Sequence, residues 1–343
     1  MKKVLKIVGI LILLIVLGVS VFVYQAVPPL PAGAERIIDV AVASASVPLQ
    51  GKEGYAYNGE TQIWYEVIEP QPNDSIKGSL LLIMGISNDA LGWPQYFLDP
   101  LVEAGYRVIR YDNRGTGLSD WGEDWDEENP YSLTDMAADG IAVLDQLNVE
   151  KAHVIGVSLG GMIAQETALA FPERIISLTS MLSSANMADD SLPGINLDLI
   201  KELILAQVRY GLLPGEANQV RLMISVRQSL QGNKDYPIDL EGTAQSVLYN
   251  LRERNGLNNE AFKQQSAAVM ASGSREDALK ELKARTLIVH GTADPLIPFA
   301  HGQKCVALIP GAKNLWIEGM GHDIPAAVSP QILAAIFDHL LAQ

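Results

Sequence analysis

The chain has 343 residues, 48% of them hydrophobic and 19% charged, which excludes disorder as its main state. With 25 Lys and Arg against 40 Asp and Glu, the formal net charge is -15. The broad basic surface that nucleic acid requires is therefore missing, and nucleic acid is not expected as a partner. The single cysteine, Cys305, excludes an internal disulfide, and no Cys/His cluster has the spacing of a structural zinc site, so stability must come from a packed core.

The N-terminus opens with Lys2, Lys3 and Lys6, followed by an uncharged 17-residue run from Ile7 to Val23. If Lys6 snorkels, residues 4–24 form a stretch that, at about 1.5 Å per residue, can cross the hydrocarbon core of a bilayer. The lysines in front of it place the N-terminus in the cytoplasm and the rest of the chain outside it. Residues 1–27 are thus expected to be a membrane anchor, and residues 28–54, with Pro28, Pro29 and Pro31, a stiff extended linker. The alternative is a signal segment cleaved at Ala32-Gly33-Ala34, leaving a secreted or periplasmic protein. Setting the three lysines aside leaves 22 basic against 40 acidic groups, which disfavours close approach of the domain to anionic lipid.

From Tyr55 the pattern turns to strands and helices. Two half-apolar runs flank Asn58-Gly59 in Tyr55–Ile68 and predict a hairpin. Short apolar runs recur at Leu80–Met84, Tyr106–Tyr111, Ala152–Val157, Ile175–Leu182, Thr286–His290 and Asn314–Ile317, with helical patterns such as Leu133–Leu147 and Leu159–Phe171 between them. Buried strands alternating with helices predict an α/β fold, a mostly parallel sheet covered on both faces. Residues 184–280 break the alternation. They carry amphipathic helical runs at Leu197–Leu212, Ala217–Leu230, Gly242–Arg254 and Glu260–Met270, so a helical cap is expected there, inserted in a core of residues 55–183 and 281–343. Met181, Met187, Met223 and Met270 lie in or near the cap and are candidates for an adaptable apolar lining. The acidic stretch Asp120–Glu128 lacks the ligand order and glycine of a calcium loop and reads as a solvated loop. Cys305 sits in the apolar helical run Gly302–Ile309 and reads as a buried structural thiol.

One motif carries chemistry. Gly156-Val157-Ser158-Leu159-Gly160-Gly161 lies between an apolar strand and a helix, a G-x-S-x-G turn so tight that glycine is required on both sides of a strained serine, whose hydroxyl is thereby presented at the sheet's C-terminal edge. A nucleophilic serine needs a base and a group to orient it, and in this topology the chain order is Ser, acid, His. Asp294 follows the strand Thr286–His290, and His322 sits on the glycine-flanked loop after Asn314–Ile317. Parallel strands would bring both loops to the sheet edge of Ser158. His153, His290, His301 and His339 lie within strands or helices and read as structural. Two backbone N–H groups are needed for the oxyanion: Leu159, directly after the serine, and Ile86, in the turn Gly85-Ile86-Ser87 after the strand Leu80–Met84. The Ser87 hydroxyl is a further candidate.

These residues resemble the α/β-hydrolase superfamily over about residues 55–343. The resemblance rests on the elbow at Ser158, the loop Gly291-Thr292-Ala293-Asp294, Gly321-His322, and the D-x-R-G-x-G-x-S turn Asp112–Ser119. Met84-Gly85-Ile86 and Leu91-Gly92-Trp93-Pro94 are similar to the aclacinomycin methylesterase and cofactor-free haloperoxidase branches, except that Met84 stands where many relatives have His. The resemblance implies a serine hydrolase that needs no metal or organic cofactor. Its expected reaction is cleavage of a small or medium hydrophobic ester through an acyl-enzyme on Ser158. Aminopeptidase and perhydrolase activities use the same triad, and a non-catalytic, membrane-anchored ligand-binding protein is the reading from another class.

Overall fold

A computed structural model describes residues 26–47, 49–71, 75–233 and 236–342. The expected bilayer span at residues 4–24 lies outside the described residues, and no helix among those described is long and apolar enough to cross a membrane.

The hairpin forms from β1 (Lys52–Asn58) and β2 (Thr61–Ile68), paired antiparallel and turned at Gly59, whose φ of 61° is open to glycine at no steric cost. β2 runs antiparallel to β4 (Tyr106–Tyr111). All further pairings are parallel, through β3 (Gly78–Ile83), β5 (Ala152–Val157), β6 (Ile175–Met181), β7 (Arg285–Gly291) and β8 (Lys313–Ile317). The order is β1-β2-β4-β3-β5-β6-β7-β8. The chain moves from β3 to one side, then returns to place β5 on the other, so the ends of β3 and β5 flank a point where strand order reverses. Such a point leaves a crevice at the C-terminal ends of the strands, where ligands bind in sheets of this kind.

Helices cover both faces. Ala152 and Val154 of β5 pack toward α3 (Leu133–Gln146), α4 (Leu159–Ala170) and α10 (Phe299–Leu308). Ile155 and Val157 face the opposite way, toward α2 (Gln95–Glu103) and α11 (Ser329–Leu341). Every β5 residue is buried, which is why the strand reads as a continuous apolar run. α3 begins with a capping box, Ser132 accepting from the Asp135 amide and Asp135 accepting in return from Ser132.

The segment between β6 and β7 is helical, as its pattern predicted. It contains α5 (Leu197–Ala206), which runs on into a π-helical turn at Gln207–Gly211, then α6 (Glu216–Leu230), α7 (Leu240–Glu253), α8 (Ala261–Ser272) and the short α9 (Glu276–Leu279). Of the four methionines considered as lining, Met223 lies in this region's cavity wall, Met181, the last residue of β6, is in the core, Met187 packs against the core, and Met270 is exposed.

The expected linker at residues 28–54 is not an extended spacer. Ala34–Ala43 forms α1, whose Ala34 and Ile38 are fully buried against Val220, Ile224, Ala244, Val247 and Leu248 of α6 and α7. Burying one Ile side chain supplies about 1.5–3 kcal/mol, enough to bend the chain back from its proline-rich start. Glu35 pairs with Arg221, and Arg252 donates to the Val42 and Ser44 carbonyls, so α1 is joined to the cap helices. The last three linker residues belong to β1.

Candidate active site

Ser158 stands between β5 and α4 with φ 58° and ψ -122°, a conformation costly for any residue with a Cβ. Its surroundings hold it there. The Ser158 amide donates to the Met181 carbonyl at 2.8 Å, and Ser183 Oγ donates to the Ser158 carbonyl at 2.8 Å. The flanking glycines are required, though for different contacts. A Cβ on Gly156 would stand 2.0 Å from the Gly160 carbonyl oxygen, whereas one on Gly160 would stand 2.0 Å from the Ile83 oxygen of β3. The turn is thus tight against itself on one side and against the neighbouring strand on the other.

Asp294 follows β7. Its Oδ1 accepts from the Leu296 and Ile297 amides at 2.9 and 2.8 Å, which fixes the carboxylate and leaves Oδ2 for His322 Nδ1 at 2.7 Å. A carboxylate accepts only, so Nδ1 carries the proton and Nε2 is left with its lone pair. His290 Nε2 lies 3.6 Å from the same carboxylate but only 2.8 Å from the Ile297 carbonyl, to which it donates. Burial holds His290 below the usual imidazole range, so it stays neutral and bound to the backbone. The other three histidines are held similarly: His153 by Ser177, His301 by Ser184 and Pro193, His339 by Leu178.

The His322 loop is attached to the cap. The His322 amide donates to the Leu230 carbonyl at 2.7 Å and the Gly321 amide to the Gln231 carbonyl at 3.0 Å, both at the C-terminal end of α6. A Cβ on Gly321 would lie 2.0 Å from the Leu230 oxygen, so the glycine permits this close approach.

Ser158, His322 and Ile86 line one cavity of about 370 Å³ beneath the cap. Its wall is mostly apolar, with Met84, Leu203, Met223, Leu230 and Phe262 among its residues. The loop after β3 passes beside the serine: a Cβ on Gly85 would lie 3.7 Å from Ser158 Oγ. Leu159, the other expected donor, is buried as the first residue of α4, where the unpaired amides of a helix start gather. Ser87 adopts φ 59°, and its buried hydroxyl has no partner.

Several residues at the site carried no signal in the sequence. Gln265, on α8, accepts from the Ser87 amide at 2.8 Å and donates to the Arg114 carbonyl at 2.9 Å. Arg227, Asn258 and Asp323 put polar groups into the cavity wall. Beside the site, Arg254 at the end of α7 is buried with Asp89 and Asp112 and lies over the Trp64 ring. Burial pushes the Asp112 carboxyl above the usual carboxylate range, against the opposing Arg254 charge. Asp112 also accepts from the Ala90 and Leu118 amides, so the Asp112–Ser119 turn is a structural joint. Cys305 is buried under α4, its thiol pushed up to about 11 by burial, as befits a structural residue. Among the described residues no group of three or more His, Cys, Asp or Glu is placed to hold a metal ion.

The description of the alpha/beta hydrolase fold family matches residues 78–325. Rhodomycin D methylesterase DnrP of Streptomyces peucetius is 32% identical over 304 residues, covering 83% of this chain and 97% of that protein. Rhodomycin D methylesterase DauP of Streptomyces sp. strain C5 is 31% identical over 312 residues, covering 82% and 96%. Among solved structures, the esterase EaEST of Exiguobacterium antarcticum is similar in fold, with a TM-score of 0.65 at 21% identity over 85% of this chain and 100% of that one.

Proposed function

The chain belongs to the α/β-hydrolase family and, by its methylesterase relatives, is an esterase-like hydrolase; on that premise we propose that it is a serine esterase acting through Ser158, His322 and Asp294. The observation that carries this reading is the 2.7 Å contact of His322 Nδ1 with Asp294 beside a cavity that His322 shares with the strained Ser158. His322 Nε2 takes the Ser158 proton as Oγ attacks the ester carbonyl, while Asp294 fixes the imidazole tautomer and stabilises its charge. The Leu159 and Ile86 amides receive the developing oxyanion, where a preorganised donor is worth far more than in water. His322 then returns the proton to the leaving alcohol, and water attacks the acyl-enzyme by the same route in reverse.

The apolar wall and volume of about 370 Å³ favour a small or medium hydrophobic acyl or alcohol group. The methylesterase relatives support a carboxylic ester as the reacting group. The proposal extends to location: residues 4–24 span a bilayer, with the N-terminus cytoplasmic and the hydrolase domain outside, supported by the uncharged run and the three lysines before it.

The test is hydrolysis of p-nitrophenyl acetate, butyrate and octanoate by the full chain beside Ser158→Ala. A fully used triad predicts a loss of about 10⁶-fold in kcat. A folded parent that turns over none of the three, with Ser158 unreactive to a fluorophosphonate, would overturn the esterase reading in favour of a silent ligand-binding protein.

A further inference from the structure

Helix α5 is apolar on a side that none of the other described residues covers. Leu197, Ile200, Ile204 and Val208 recur at spacings of three and four, so they form one stripe along α5 and its π-helical end, and all are exposed; Leu197 is 79% and Ile204 59% accessible. Leu212 continues the stripe at 70%. Apolar side chains presented contiguously on one helix face mark an interaction surface, unlike single exposed ones. The other sides of the helix are occupied: Leu203 lines the Ser158 cavity, and Leu205 packs toward Val27.

That last contact identifies the occupant. Val27 is buried against Tyr210 together with Leu30, Leu205 and Leu222, and Arg209 donates to its carbonyl at 3.0 Å. The chain therefore enters the domain clamped to the same element that carries the bare stripe. The uncharged run Ile7–Val23 ends four residues earlier. Four extended residues reach at most about 14 Å, so a bilayer crossed by that run begins next to α5. Lys201 lies on the same side, with a stem long enough to lie along lipid while its ammonium stays in water.

We propose that the Leu197–Val208 face of α5 rests in the interface of the bilayer that residues 4–24 span. This inference rests on the membrane reading above, so its test must separate the two. A zwitterionic surface suits a chain of net charge -15 better than an anionic one.

The experiment uses the full chain reconstituted with phosphatidylcholine–phosphatidylethanolamine vesicles. Ile204→Cys, and Glu173→Cys at the opposite edge of the sheet, each carry a polarity-sensitive fluorophore; the parent, whose Cys305 is buried, serves as the labelling blank. Flotation with the vesicles reads the anchor. On the floated protein, the proposal expects a blue-shifted probe at position 204 that doxyl-labelled lipid quenches and iodide does not, with the reverse at 173. A floated chain whose 204 probe is open to iodide overturns the docked face and leaves the anchor standing. Shielding from both quenchers also overturns it, because a second copy or the chain's own N-terminal segment would then cover the stripe. A chain that does not float overturns the membrane reading and this inference together.

Discussion

Gln265 accepts the backbone N–H of Ser87 at 2.8 Å, so a residue of cap helix α8 holds the turn that passes beside Ser158. The same amide donates to the Arg114 carbonyl, and Gln265 is fully buried, so both contacts are shielded from water. Gln265→Leu removes them while keeping the volume. The stranded Ser87 amide should cost about 1–3 kcal/mol of stability. Because Ser87 already sits at φ 59°, the turn is expected to relax and carry the Ile86 amide away from the developing oxyanion. We expect kcat on p-nitrophenyl butyrate to fall roughly 10–100-fold with KM nearly unchanged, the pattern of an interaction made only in the transition state. A fall confined to KM would show that Gln265 shapes only substrate binding.

The Gly321 contact makes a second prediction about the same coupling of cap to catalytic loop. Gly321→Ala places a methyl 2.0 Å from the Leu230 oxygen and 2.4 Å from the Gly232 amide nitrogen, both backbone atoms that cannot turn aside. The loop must lift, and His322 with it. A shift of about 1 Å at a catalytic base costs on the order of 100-fold in rate. Steady-state kinetics beside a thermal melt would check this: activity should fall by that order in a chain that still unfolds cooperatively. An active variant would show that the loop and α6 separate without consequence.

The parts of this architecture that depend on local repetition were readable from the chain. The central strands β3 and β5 were visible because both their faces are buried, leaving short apolar runs such as Ala152–Val157. The elbow was visible because its sterics demand glycine at fixed offsets. Helix α2 escaped because Pro100 lies inside it, and α1 because three prolines precede it and its stabilisation comes from α6 and α7, nearly two hundred residues on. Gln265 and Arg227 were invisible for a similar reason. A polar residue on a helix reads as solvent-facing unless one knows what the helix packs against, and that is settled by tertiary contact alone.

Arg254 tests the joint beneath the site. It is almost fully buried, with Asp89 and Asp112 on one side and the Trp64 ring 4.3 Å from its guanidinium carbon. Arg254→Met keeps much of the volume but leaves two buried carboxyls without their cation. Breaking a buried pair this way costs about 3–5 kcal/mol. Denaturant unfolding at neutral pH should show a loss of that order. The loss should shrink at lower pH, since burial already raises Asp89 and Asp112 and protonation then relieves the unpaired charge. An Arg254→Met chain as stable as the parent at pH 7 would mean that at least one of the carboxyls is neutral there even beside the arginine.

His153 gives a pH dependence of known sign. Burial, with Arg285 and His339 adding to it, lowers its ring from an ordinary 6.5 to about 4, and Ser177 Oγ lies 2.7 Å from Nδ1. Between pH 6.5 and 4 the unfolded chain therefore binds a proton that the folded chain does not. Protons then favour unfolding, so this residue's contribution is fully present above about pH 6.5 and is lost progressively as pH falls toward 4. His290 and His339 are lowered by burial too and act in the same direction. His153→Gln keeps a group able to meet Ser177 but removes the titration. Urea unfolding at pH 7 and pH 5 should show the parent losing more stability between the two than the variant loses. Equal losses would mean that His153 takes up its proton as readily in the folded protein as in the unfolded chain, and the acid sensitivity would then belong to His290 and His339.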